Sequence, residues 1–209
     1  GLPKGVSVVS YQGDVASDAG KYTATATLAW DSANYNAPIL ASHSWEILPA
    51  EYDLTGFRFL PSTHVFDGII HYPTLEGKMP VGMDGIALEY SFSSGATHVS
   101  DGKVSVIISF RSASKNYNIP KDQYSSVSVT PKGINVSWSG EKLYYNGERQ
   151  SPVASAKECG VRVNGAAMTV GRYTATAESQ NSDYFIINDS LEFEILKALN
   201  GWRVVPSAS

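Results

Sequence analysis

Apolar and polar residues alternate with period two along most of this chain. Val104, Val106, Ile108 and Phe110 fall on one side of a run whose other side holds Ser105 and Ser109. Likewise Tyr22, Ala24, Ala26 and Leu28 alternate with Thr23, Thr25 and Thr27. Successive side chains of a strand point to opposite faces, so this pattern predicts strands with one buried and one wet face, as in an antiparallel sheet. The Thr, Val, Ile and Tyr content of these runs suits strands. Turn dipeptides punctuate them at Asp67-Gly68, Asp84-Gly85, Asp101-Gly102 and Asn146-Gly147. No segment of helical length carries a sustained apolar stripe. The pattern predicts an all-β protein.

The pattern also recurs. Gly20, Gly102 and Gly171 each head a related strand, the first two 82 positions apart. "NYNAP", "NYNIP" and "SDYFI" follow around Tyr35, Tyr117 and Tyr184, and the first two tyrosines are again 82 apart. Strand endings at Ile47, Val129 and Ile195 form a third anchor, and "GFRF", "GINV" and "GWRV" at Gly56, Gly133 and Gly201 a fourth. Phe66-Asp67-Gly68 also matches Tyr145-Asn146-Gly147. Four anchors in one order define tandem units. Their expected bounds are 1–54 (a partial unit lacking its first strands), 55–131 and 132–197 (complete units), and 198–209 (the start of another). The beginning at "GLPKGVSVVSY", without an initiator Met, makes the chain read as a piece of a longer array.

Composition narrows the function classes. The 209 residues are 43% hydrophobic, ordinary for a globular chain. Sixteen Lys and Arg against 20 Asp and Glu leave a net charge of -4 with no basic run, which speaks against nucleic acid as a partner. No apolar stretch is long enough for a membrane span, so no membrane insertion is expected. Cys159 is the only cysteine, which excludes an intrachain disulfide and a paired-cysteine metal site.

Candidate chemistry is sparse. The turn glycines precede strands rather than helices, so they offer no phosphate cradle. His43, His64, His71 and His98 lack metal-ligand spacing and recur in no second unit. "KECGVRV" around Cys159 continues a strand pattern like "KGVSV", with no nucleophile motif. "NSDYFIINDS" (181–190) has oxygen ligands without the dense spacing of a calcium loop. No catalytic, cofactor or metal residue is therefore assigned. Exposed aromatic faces remain as sugar platforms. Trp45 and Trp202 occupy core-like repeat positions. Trp138, in "SWSGE", stands at a strand edge, and Trp30, in "WDSANY", falls opposite Ser112, where no core residue recurs. Trp30 and Trp138 are the possible ligand contacts. Tyr35, Tyr117 and Tyr184 recur and are expected to cap a core.

"FDGIIHYPTLEG", "VSDGKVSVIISF", "NYNIP", "VSVTPKGINVSWSG" and "YYNGERQSPVASA" resemble the MBG/YDG-type repeats of bacterial surface proteins, over nearly the whole chain. Phe66 replaces the usual tyrosine of the Tyr-Asp-Gly turn, and Cys159 stands where such repeats carry no cysteine. "DAGKY" also resembles the Asp-x-Gly-x-Tyr turn of immunoglobulin domains, with Ala24 in place of the cysteine. The resemblance implies tandem small immunoglobulin-like sandwiches, with β-grasp-like units as the alternative topology. It implies an extracellular, cell-surface or secreted setting and a stalk, display or adhesion role beside neighbouring repeat units. A host or matrix protein or a glycan would be the partner. No catalytic residues carry over. A different class stays open beside it: a carbohydrate-binding accessory module of a larger secreted enzyme, using Trp30 and Trp138.

Overall fold

The structure is a computed structural model and describes residues 2–199 and Gly201. It is all-β: the one helical element among the described residues is a 3-10 turn at Val99–Asp101. The first strands are β1 (Val6–Gln12), β2 (Gly20–Trp30) and β3 (His43–Ile47). Next come β4 (Phe57–Leu60), β5 (Ser62–Val65), β6 (Thr74–Gly77), β7 (Glu89–Phe92), β8 (Val104–Arg111) and β9 (Gln123–Thr130). The remainder holds β10 (Lys132–Ile134), β11 (Ser137–Ser139), β12 (Lys142–Tyr144) and β13 (Val153–Ser155). It ends with β14 (Val161–Asn164), β15 (Gly171–Ser179), β16 (Tyr184–Ile186) and β17 (Ser190–Leu196).

Two compact units result. The first takes the described residues up to Leu60 together with Thr74–Ser93 and Val106–Ser125. The second takes Pro61–Pro73, Ser94–Ser105 and the described residues from Ser126 onward. Strands β8 and β9 each contribute residues to both units.

In the first unit β1, β2 and β3 form an antiparallel sheet in that order. Its core lies elsewhere, where β4 and β6 pack on β7 and β8. Tyr52, Phe57, Phe59, Leu88, Ile108 and Phe110 are buried there, backed by Tyr90, Phe92 and Tyr117. The rings meet edge to face, Phe57 on Phe110 at 6.1 Å and Phe59 on Tyr90 at 4.9 Å. That geometry suits the ring quadrupoles and adds about 0.5–1.5 kcal/mol per pair beyond area burial.

In the second unit β12, β17, β15 and β14 form a four-stranded sheet in that order. Against it lie the β11–β13 pair, joined through Ser137↔Ser155, and the β10–β16 pair. Ala175, Phe193 and Ile195 are buried on one side of Trp138, and Val136, Ala154, Ala177 and Ile186 on another. Two layers with alternating inward residues make this a small sandwich.

Equivalent strands pair in equivalent ways. Gly20↔Ile47, Lys21↔Glu46 and Tyr22↔Trp45 in β2–β3 have the register of Gly171↔Ile195, Arg172↔Glu194 and Tyr173↔Phe193 in β15–β17. The β5–β9 and β12–β17 pairs are both parallel, with His64↔Val129 matching Leu143↔Ile195. Parallel pairing of neighbours needs a crossover and leaves no trace in residue alternation, so the sequence pattern did not predict it. Gly13 and Gly165 are also equivalent. Both have positive φ, and a Cβ would lie 2.2 Å from the Thr23 carbonyl oxygen at Gly13 and 2.5 Å from that of Thr174 at Gly165. Only glycine fits there.

Candidate functional site

No group of three or more His, Cys, Asp or Glu able to hold a metal ion occurs among the described residues. The Cys159 sulfur accepts a 3.3 Å bond from Ser179 Oγ and has no histidine beside it among the hydrogen bonds of the described residues. In the 181–190 segment several side-chain oxygens are already engaged. Asn181 Oδ1 accepts from the Asp183 N–H, and the Asn188 amide clips both the N–H and the C=O of Val136. His64 and His71 stack face to face at 4.1 Å, with His71 Nε2 2.9 Å from an Asp67 carboxylate oxygen.

Two polar hubs, one in each unit, are the most organised constellations. In the first unit the Ala50 N–H donates to the Asn116 carbonyl, and the Asn118 N–H donates back to Ala50, both at 2.8 Å. This makes a parallel bridge between Ala50 and Tyr117. The Asn116 side chain then reaches the turn ahead of β2: its Oδ1 accepts from the Ala19 N–H at 2.7 Å and its Nδ2 donates to Asp18 at 3.1 Å. Lys115 Nζ lies 2.9 Å from the second Asp18 oxygen. These donors hold the Asp18 carboxyl below its ordinary range, Lys115 first and Asn116 second. Asp84, bonded by the Ser114 hydroxyl and by Asn116, is lowered too, chiefly through Ser114. A cleft of about 450 Å³ lies here, lined by Ser17, Asp18, Met83, Asp84, Asn116 and Tyr117 among others.

In the second unit the Lys132 N–H donates to the Asp183 carbonyl at 2.9 Å, and Lys132 pairs in parallel with Tyr184. Asp183 reaches the turn ahead of β8: its carboxylate accepts from the Val99 N–H at 2.8 Å and from His98 Nδ1 at 2.7 Å. Asp183 therefore stands where Asn116 stands, and Lys132 stands where Ala50 stands. This places Lys132 opposite Ala50 rather than Gly133 opposite Gly56, because Lys132 bridges Tyr184 in parallel as Ala50 bridges Tyr117. Sequence inspection aligned the two "G-x-x-x" runs instead, and no turn residue marks the true register.

The tryptophans separate. Trp30 is 38% exposed at the end of β2. Trp138 packs against both buried clusters of the second unit, and its Nε1 donates to the Asn188 carbonyl at 3.0 Å. Trp45 rests on Tyr22 at 4.9 Å and donates to the Gly13 carbonyl. Trp202 lies outside the described residues. The structure places Trp30 and Trp138 in different units. Of the three repeated tyrosines, Tyr117 stacks on Tyr52 at 4.5 Å and accepts the Met83 N–H at 2.8 Å. Tyr184 packs edge-on against Phe66 at 5.3 Å. Tyr35 is 53% exposed and caps no core, a departure from the expectation for that position.

Comparison of the chain with protein-family models, with curated proteins and with solved structures finds no match.

Proposed function

We propose that this chain is a non-catalytic tandem-repeat region of a bacterial surface or secreted protein, acting as a stalk, spacer or adhesive module. The observation that carries the reading is the recurrence of one hub, Ala50 with Tyr117 and Lys132 with Tyr184 (82 and 67 positions further on), each tied by a polar side chain to the turn before a long strand. A similar polar tie inside each compact unit suits a spacer built from like modules in series. Many weak contacts in series supply avidity without one deep pocket. The partner in this reading is a host or matrix protein or a glycan, and the setting is extracellular. The test is display of the chain on an otherwise non-adherent cell. Adhesion to immobilised matrix protein or glycan that grows with repeat number supports the reading. Hydrolysis of a glycoside or ester by the purified chain, lost on changing Cys159 or one carboxylate, overturns it.

The 38% exposure of Trp30 favours a second reading, a carbohydrate-binding accessory module. Trp138 spends its N–H and much of its ring on its own unit, so Trp30 would carry the contact. Soluble polysaccharide titrated against the chain and against Trp30→Ala separates the two readings.

A further inference from the structure

The two hubs share a backbone scheme and differ in chemistry. Asn116 is neutral, and its amide both accepts from Ala19 and donates to Asp18. Asp183 is a carboxylate whose side chain is only 6% exposed, facing an imidazole that is 52% exposed and so in exchange with solvent protons. Around that imidazole stand Asp101, which accepts the N–H groups of Thr97 and His98 at 2.8 Å, and the ring of Phe66, stacked at 5.7 Å. Tyr184 backs Phe66 from the Asp183 side. Both charged neighbours of His98 are thus acids.

We propose that the Asp183 hub is a pH-sensitive tie: a protonated His98 clamps the 97–101 turn to Asp183 in mildly acidic surroundings, and loss of that proton slackens it. The Asn116 hub keeps its strength across the same range. The physical basis is the difference between a charge-assisted bond and a neutral one, the former being roughly twice as strong. The bond to Asp183 raises the His98 pKa above its ordinary value, helped by the charges of Asp183 and Asp101 and opposed by desolvation. A raised histidine pKa gives stability that is full below the unfolded-state value and lost as pH rises through the folded one. Burial pushes the Asp183 carboxyl upward, but the bonds from His98 and Val99 outweigh it and leave the group lowered. Its contribution is therefore lost only in stronger acid. The tie is tightest between those two limits.

The test is hydrogen exchange of the whole chain, corrected for intrinsic rates, between pH 5.5 and pH 8. Protection of the Val99 and Lys132 amides, which bond directly to Asp183, is expected to fall roughly threefold or more as His98 loses its proton. The Ala50 and Asn118 amides of the other hub serve as the internal reference and stay level. His98→Gln, which keeps a donor without a titration, should flatten the response. Asp183→Asn should flatten or invert it, since an amide donates to neutral imidazole. Equal pH dependence at both hubs, no dependence at Val99 and Lys132, or a response that survives His98→Gln would each overturn the proposal.

Discussion

Strands β2 and β15 begin with nearly the same residues, Gly-Lys-Tyr-Thr-Ala-Thr-Ala from Gly20 and Gly-Arg-Tyr-Thr-Ala-Thr-Ala from Gly171. They pair in the same register with β3 and β17. Yet Ala175 and Ala177 are 0% and 4% exposed, whereas Ala24 and Ala26 remain half-buried. The cause is cover. In the second unit β11, β13 and Trp138 close over the apolar face, and β12 closes the β17 edge. The three-stranded sheet of the first unit ends at β3 on that edge. Alternation decides where a strand forms and which way its side chains face. How deeply those side chains are buried depends on residues far away in sequence.

Matched truncations sharpen this contrast most. Phe193 is 2% exposed, so Phe193→Ala should cost about 3–5 kcal/mol of the second unit's stability in urea denaturation. Trp45→Ala, at the matching register on a half-covered sheet, should cost less than half as much despite removing a larger ring. Equal losses would mean that cover does not distinguish the two sheets. A smaller effect should be common to both. Gly13→Ala and Gly165→Ala each force a Cβ into a backbone carbonyl at positive φ, a clash independent of cover. Each should destabilise its unit by about 1–3 kcal/mol. A harmless Gly165→Ala would break the equivalence of the two bends.

These comparisons also show what was legible. The strands at 20–30, 104–111 and 171–179 follow from alternation, because side-chain period is a local property. The anchors Gly20 and Gly171 with Ile47 and Ile195 proved to be directly paired residues, so repeat spacing captured sheet register. Three features were out of reach. The parallel pairs have no local signature. The hub residues Asn116 and Asp183 differ in type and act on turns about 85 positions or more away. The clip of Asn188 on Val136 depends on contact across the sandwich rather than on any motif. The partial burial of Trp138 against both clusters likewise depends on contacts across the sandwich.

The smallest expected differences concern single aromatics in the first unit. Tyr117 stacks on Tyr52 and holds the Met83 amide, so Tyr117→Ala should lower that unit's melting temperature by several degrees, in line with roughly 1–3 kcal/mol. Trp30→Ala should stay within about 0.5 kcal/mol of the parent, as surface substitutions do. A large loss from Trp30→Ala with none from Tyr117→Ala would reverse the assignment of core and surface.

The proposal at the centre of this account is a stalk or spacer of successive units rather than a single reactive site. Stretching the whole chain by its ends with single-molecule force measures this directly. The account predicts more than one resisted unfolding event, each releasing only part of the chain, on the order of 100 residues or about 330–360 Å at 3.3–3.6 Å each. One event releasing the full chain, or extension without resistance, would contradict it.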